Sequence, residues 1–314
     1  MSVRTMNVVR IEAFGSPNVL KFEKIPIPRP QRAEVLLKVC AAGVNPVDYK
    51  IREGKYPAVK PNQLPYVMGR EVSGIVEAVG EGAGEWKVGD NIYAMLGIDR
   101  GGYAEHAIVK DTEAAAKPSS LDHVTAAAVP LAGLTAWQGL FRHGGLAAGQ
   151  KVLIHGGAGG VGHFAVQFAK VKGGHVATTV SEKHVQFVRD LGADQIIDYQ
   201  KQRFEDVVRD VDLVFDLIGG ETQTRSWKVL RNGGVLVSTV MEPPAIVAQA
   251  HGARGLRYRV QESGLELGEI GRLIDAGKVK PTVSKRFALA QAVEAQRQLE
   301  DGHTEGKIVL AIAA

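Results

Sequence analysis

From Lys151 onward, short, apolar and largely β-branched runs alternate with helical stretches, and this rhythm constrains the fold more than any other feature of the chain. Val152-Leu153-Ile154, Val176-Ala177-Thr178-Thr179-Val180, Gln195-Ile196-Ile197, Leu213-Val214-Phe215 and Val235-Leu236-Val237 are apolar with little alternation, as parallel strands covered on both faces must be. Between them, one stretch sets Val161, Phe164, Phe168 and Val171 on a single helical face, and another spans 182–191 and stops at Gly192. Repeated βαβ units of this kind predict an α/β fold with a doubly wound parallel sheet. A last strand is expected at 256–260, then helices near 265–275 and 289–299 and a closing strand at 307–310.

The N-terminal part reads differently. Glu34-Val35-Leu36-Leu37-Lys38-Val39 and Val72-Ser73-Gly74-Ile75-Val76-Glu77-Ala78-Val79 are short apolar segments separated by Gly and Pro turns, the pattern of a β-rich region. An Ala- and Leu-rich stretch over 121–146 predicts helices. At 314 residues the chain can hold two domains or one large one. No apolar run approaches the roughly 18 residues of a membrane helix, and Met1-Ser2-Val3-Arg4-Thr5-Met6 lacks the apolar stretch of a secretory signal. The single cysteine, Cys40, excludes an internal disulfide and any cysteine-rich zinc lobe. A cytoplasmic protein with no membrane partner is expected. The net charge of +4 admits an anionic partner, but the basic residues are dispersed, without runs or aromatic interleaving. No nucleic acid is expected; the dispersed charge reads first as a well-solvated surface, with a pocket for an anionic cofactor as the alternative.

Gly157-Ala158-Gly159-Gly160-Val161-Gly162 follows the first of the parallel runs and opens the helix that carries Phe164 and Phe168. A G-x-G-x-x-G run alone is a weak signal, but between a strand and a helix it is the arrangement that binds a dinucleotide. Gly157 is expected to permit the tight turn, Gly159 to let the backbone approach the pyrophosphate, and Gly162 to allow close helix–strand packing. Gly160 and Val161 complete the turn, and the helix N-terminus adds N–H donors and partial positive charge. The end of the second strand chooses the nucleotide. Where NAD enzymes place an acid against the ribose, the spacing here gives Thr179, which has no charge to repel a 2′-phosphate. Ser181 can donate a hydrogen bond to that phosphate and Lys183 can supply a cation. NADPH is the expected cofactor; the plainer alternative for 181–183 is a helix start with a solvated lysine. Glu182 fits NADPH if it begins the next helix and faces solvent.

Several further stretches are spread along the chain: Ala41-Ala42-Gly43-Val44-Asn45-Pro46-Val47-Asp48-Tyr49-Lys50-Ile51-Arg52-Glu53-Gly54, Gly69-Arg70-Glu71-Val72-Ser73-Gly74-Ile75-Val76, Gly101-Gly102-Tyr103-Ala104-Glu105, Ala132-Gly133-Leu134-Thr135-Ala136-Trp137 and Gly306-Lys307-Ile308-Val309-Leu310. With the glycine turn, they resemble the medium-chain dehydrogenase/reductase superfamily, specifically its zinc-free quinone oxidoreductase and alkenal (enone) reductase branch. The resemblance implies a GroES-like β-rich catalytic domain over 1–122, a Rossmann NADP-binding domain over 123–262, and a C-terminal segment, 263–314, that returns to the catalytic domain. It also implies a homodimer joined through the last Rossmann strand. Where the superfamily's zinc enzymes place a Cys, the His of Gly-His-Glu and a third Cys or acid, this chain has Asn45, Arg70 and Pro130-Leu131-Ala132. These cannot build the three-ligand open site of catalytic zinc, and no metal site is expected.

The same resemblance sets Asn45 beside the nicotinamide. In a quinone or an α,β-unsaturated carbonyl, hydride addition at carbon drives negative charge onto the carbonyl oxygen, and a neutral amide donor can stabilise it. Asn45 can equally cap a turn before Pro46. Asp48, Lys50 and Arg52 share a face if their segment is extended and separate if a short helix follows Pro46. Lys50 stands where many quinone reductases have Tyr and alkenal-reductase-like members have Lys; it either binds the substrate carbonyl or pairs with Asp48. Water is the first expectation for the proton donor, with Tyr56 and Tyr103 behind it. The family positions imply that Thr135 contacts the nicotinamide ribose or amide and that Lys307 approaches the cofactor from the tail, a surface ion pair being the alternative for Lys307. Tyr199 lies against the adenosine phosphate or packs at a strand end. Gly219 and Ser238 follow strands at the carboxyl edge where open α/β sheets bind ligands, and each also reads as a turn residue. The expected function is zinc-independent, NADPH-dependent reduction of a quinone or α,β-unsaturated carbonyl. The alternatives are a reductase of another activated alkene and an NADPH-binding protein with a structural or nucleic-acid-binding role.

Overall fold

Strand β1 (Glu34–Val44) is buried along nearly its whole length. In the computed structural model, which describes residues 4–302 and 304–312, one edge of β1 pairs antiparallel with β2 (Glu71–Val79). The other edge is shared: residues 34–38 pair with His106–Lys110, and residues 41–44 pair with the closing strand Lys307–Ala311. The tail thus completes the sheet at Val44, immediately before Asn45. Helix α1 (Pro46–Arg52) follows directly, with Pro46 at its first position, where a missing N–H costs nothing. These elements belong to a seven-stranded sheet, accompanied by a three-stranded one of Leu20–Pro26, Thr5–Ile11 and Tyr66–Val67. Ile11, Leu37, Val72, Ile92 and Leu310 share one apolar core.

The chain divides into two units. The first runs up to Leu131 and regains Glu262–Gly277 and everything from Pro281 on; the second holds Ala132–Gln261 and Lys278–Lys280. The expected boundary at 122 moves to Leu131 because the short helix His123–Ala126 leads into Ala127 and Ala128, which pack with Ala41 and Val309 of the β-rich unit. Residues 1–3, the start of the segment read for a signal, lie outside the described residues, as does His303.

In the second unit the elements run β3 (Lys151–His155), α2 (Gly162–Val171), β4 (His175–Val180), β5 (Gln195–Asp198), β6 (Val211–Asp216), α3 (Gly220–Ser226), β7 (Leu230–Ser238) and β8 (Arg254–Arg257). Every pairing is parallel, in the order β5-β4-β3-β6-β7-β8. This is the doubly wound sheet expected from the apolar runs, with its order reversing between β3 and β6. The last strand lies at Arg254–Arg257 rather than 256–260. Tyr258 leaves the sheet: its buried ring lies 4.5 Å from that of His143, and its hydroxyl donates to the Thr135 carbonyl. Among the described residues, no helix is long and apolar enough to cross a membrane.

Candidate active site

Asn45 caps α1, and its backbone N–H donates to the Asp48 carboxylate at 2.8 Å. Because the segment is helical, the extended-chain expectation for Asp48, Lys50 and Arg52 fails. Asp48 and Arg52 lie one turn apart and are fully buried, whereas Lys50 is half-buried on another side. The Arg52 guanidinium donates to the Gly15 carbonyl at 3.0 Å and to Gln296 at 2.8 Å, and pairs with Glu300 at 2.6 Å. The same oxygen of Asp48 that caps Asn45 accepts from the Tyr103 hydroxyl at 2.9 Å. Burial pushes the Asp48 carboxyl up to about 6. Burial, with Asp48 beside it, also raises the Tyr103 phenol well above its ordinary value. The Tyr103 hydroxyl proton is given to Asp48, and the residue has no solvent exposure.

The Asn45 side chain sits in a second network. Its Nδ2 donates to Glu71 Oε1 at 2.7 Å, and its Oδ1 accepts from Lys307 Nζ. Lys307 also donates to the Val44 carbonyl at 3.0 Å and pairs with Glu71 at 2.9 Å. The other Glu71 oxygen accepts from the Leu131 N–H at 2.7 Å. Three donors therefore have three acceptors at Lys307, which is buried. It is not a surface ion pair, and all three of its donors are spent within this network. Glu71 is not among the residues expected from the sequence; an acid opening an apolar strand after Gly-Arg is the signal that marks it. Arg70, at the zinc-ligand position, donates to the Leu96 carbonyl at 2.8 Å and pairs with Glu262 at 2.8 Å. Among the described residues there is no group of three or more His, Cys, Asp or Glu able to hold a metal.

In the second unit the turn between β3 and α2 tests each glycine. The left-handed residue is Gly156, at φ +77°, so Gly156 rather than Gly157 makes the turn tight. A Cβ on Gly157 would stand 2.1 Å from Thr178 Oγ1, and one on Gly162 would stand 2.1 Å from the Gly156 carbonyl. Both are glycine for packing. At Gly159 the nearest atom would lie 3.5 Å away, an ordinary contact. Packing does not require glycine there, and the backbone is left open to close approach. With Gly160 and Val161 half-buried beside it and the ten-residue α2 starting at Gly162, the turn fits a pyrophosphate.

The carboxyl ends of the strands hold the remaining candidates. Thr179 is buried, with Oγ1 3.0 Å from His155 Nδ1, while His155 Nε2 lies 2.9 Å from Ser226 Oγ. Ser226 gives its proton to the Thr222 carbonyl at 2.7 Å, so His155 Nε2 must be the donor to Ser226 and Nδ1 the acceptor from Thr179. The Thr179 hydroxyl proton is used internally. At this position the chain carries no carboxylate. Burial, the largest influence, holds the His155 imidazole down at about 4. Ser181 is buried at the start of the turn Glu182–His184, and Lys183 is exposed. Glu182 faces solvent and pairs with Lys201 at 2.5 Å. Tyr199, just past β5, is 54% exposed, so it does not pack at the strand end.

Ser238 donates to Asp216 Oδ2 at 2.9 Å and accepts from the N–H groups of Val240 (3.1 Å) and Met241 (3.2 Å). Its single donor is spent on Asp216, so the hydroxyl braces the loop that follows β7. Asp216 also accepts from the N–H groups of Ile218 (3.0 Å) and Gly219 (2.8 Å) and from Gln223 (3.0 Å). It fixes the loop that carries Gly219. His155 and Asp216 are not among the expected residues, and each is the first polar residue ending a buried parallel run. Thr135 is buried in the helix Pro130–Trp137.

A β-rich unit closed by the chain's own tail and a six-stranded parallel sheet with a glycine turn define a two-part oxidoreductase. Residues 31–119 match the family model of the alcohol dehydrogenase GroES-like domain, and 191–310 match that of the zinc-binding dehydrogenase. The chain belongs to the medium-chain dehydrogenase/reductase superfamily, in its quinone oxidoreductase and alkenal reductase branch. It is 37% identical to an NADPH-dependent alkenal/one oxidoreductase of Arabidopsis thaliana chloroplasts, over 95% of this chain and 77% of that protein. The quinone oxidoreductase of Coxiella burnetii superposes with a TM-score of 0.92 at 36% identity, over 98% of this chain and 99% of that one. A mycobacterial structure complexed with NADPH gives 0.88 at 32% identity, over 98% and 99%.

Proposed function

We propose that the protein is an NADPH-dependent reductase of quinones or α,β-unsaturated carbonyls that works without a metal. The observation that carries this reading is the Asn45 amide. One N–H donates to Glu71, its oxygen accepts from Lys307, and one N–H remains. A neutral donor held rigidly is what a carbonyl oxygen needs as charge develops on it. A reduced nicotinamide nucleotide bound at the glycine turn supplies the hydride. The amides of Gly157, Gly159, Gly160, Val161 and Gly162 hold its pyrophosphate, and Gly219 lines the same carboxyl edge. Ser181 and Lys183 take the 2′-phosphate, Tyr199 lies by the adenosine phosphate, and Thr135 contacts the nicotinamide. Asn45 steadies the enolate, whose carbon takes its proton from water, and Lys50 binds near the carbonyl. The Arabidopsis relative's name and the mycobacterial complex both support NADPH over NADH. A cytoplasmic homodimer accompanies this reading, with β8, the outer strand of its sheet, as the joining edge.

The test mixes chelator-dialysed protein with NADPH or NADH and either a small para-quinone or a short 2-alkenal, and follows loss of the reduced-nicotinamide absorbance. Oxidation of NADPH by at least one acceptor, faster than that of NADH, is expected. No oxidation with either would overturn the catalytic reading in favour of a binding role, and activity that appears only on adding a divalent metal would overturn the metal-free part.

A further inference from the structure

Glu71 and Lys307 are 0% and 3% exposed, and a buried ion pair carries a desolvation cost that apolar residues of similar size avoid. The contacts of this pair all point one way. Lys307 donates to the Asn45 amide oxygen, and Glu71 accepts from the Asn45 amide nitrogen at 2.7 Å. The two flip states of an asparagine are nearly identical in shape and differ only in what they face. Here a flip would set the amide oxygen against the Glu71 carboxylate and the amide nitrogen against the Lys307 ammonium, two like-polarity contacts away from water.

We propose that Glu71 and Lys307 are positioning residues for the reaction: they lock the Asn45 amide in one orientation so that its second N–H is a fixed donor to the substrate oxygen. The inference rests on the reading of Asn45 given above. The ammonium also draws electron density toward the amide oxygen, which strengthens the remaining N–H as a donor, and such polarisation counts for most in a buried network. Two features keep the clamp in register. Lys307 holds the Val44 carbonyl at 3.0 Å, one residue before Asn45. Gly43 leaves room for the carboxylate, since a Cβ there would stand 2.1 Å from Glu71 Oε1.

A single substitution would leave one buried charge bare, so the informative variant is Glu71→Gln/Lys307→Met, which removes both charges together. It is compared with Asn45→Ala and with the triple variant. The double variant should fold, bind NADPH as the parent does, and lose roughly ten- to a hundredfold in kcat with little change in KM. The triple variant should be no worse than Asn45→Ala. Where the double variant does not fold, Glu71→Asp gives the same comparison, because it keeps both charges and withdraws the carboxylate by one methylene. A second readout needs neither substrate nor cofactor. The two side-chain amide protons of Asn45, assigned by their loss in Asn45→Ala, should be widely separated in the NMR spectrum of the parent and converge in the charge-free variant. If Asn45→Ala lowers kcat and the charge-free variant does not, the positioning role falls and the reading of Asn45 stands. If Asn45→Ala leaves kcat unchanged, both fall. A triple variant far below Asn45→Ala would also overturn the proposal, since the pair would then act elsewhere.

Discussion

Lys183 stands in solvent just beyond β4, while the carboxylate of its neighbour Glu182 is taken up by Lys201. If it meets the 2′-phosphate, Lys183→Glu should weaken NADPH about tenfold or more and leave NADH near its own value, because only one nucleotide loses a charge-assisted bond. Fluorescence titration of both nucleotides checks this, and equal losses would remove Lys183 from the phosphate site. Thr179→Ala tests a different bond. It strips His155 Nδ1 of its donor in a fully buried place and should cost roughly 1–2 kcal/mol by denaturant unfolding, with nucleotide preference unchanged. Spacing could reach Thr179 and its missing charge, but not the direction of its hydroxyl, which depends on His155 in another strand. Lys307 was legible as a cation and illegible as a partner of Asn45, since nothing local in the sequence joins positions so far apart.

At the scale of elements, the glycine turn separates packing from binding. Gly162→Ala would drive a Cβ into the Gly156 carbonyl at 2.1 Å, so the turn must shift, at about 3 kcal/mol. Gly159→Ala meets nothing closer than 3.5 Å. It should leave the melting temperature near that of the parent while raising the dissociation constant of the nucleotide severalfold. A parent-like melting temperature for Gly162→Ala would show that the turn yields more easily than its geometry suggests. The parallel strands were legible because burial on both faces leaves continuous apolar runs, and β3 to β7 fall where those runs are. Strand ends were less so: β8 stops at Arg257 because Tyr258 turns inward to Thr135, a tertiary contact without a local signature. Helix α1 was left open between two conformations, and the Pro46 and Asp48 caps decide for the helix.

Across the whole molecule, two buried groups answer acid in opposite senses. Burial raises Asp48 in the first unit from 3.8 to about 6. The folded state therefore holds that proton more tightly, and Asp48's contribution is complete below about 3.8 and lost as pH rises through about 6. The span is roughly 3 kcal/mol. Burial lowers His155 in the second unit from 6.5 to about 4, so its contribution is complete above about 6.5 and lost as pH falls through about 4. Moving from pH 7 to about pH 5 should therefore speed amide exchange in β3 and β4, after correction for intrinsic rates, and slow it in β1. Asp48→Asn and His155→Gln should each flatten the response of their own unit. A shift of both units in one direction would contradict this assignment. The chain's path adds an asymmetry in time. While a ribosome is still making the last segment, all six strands of the parallel sheet have already emerged and can condense. The β-rich sheet is completed later, because the strand Lys307–Ala311, which brings the ammonium paired with Glu71, follows it in the chain. The nascent polypeptide therefore completes its parallel sheet before its β-rich unit, and a premature stop just upstream of Lys307 would leave Glu71 without its paired ammonium.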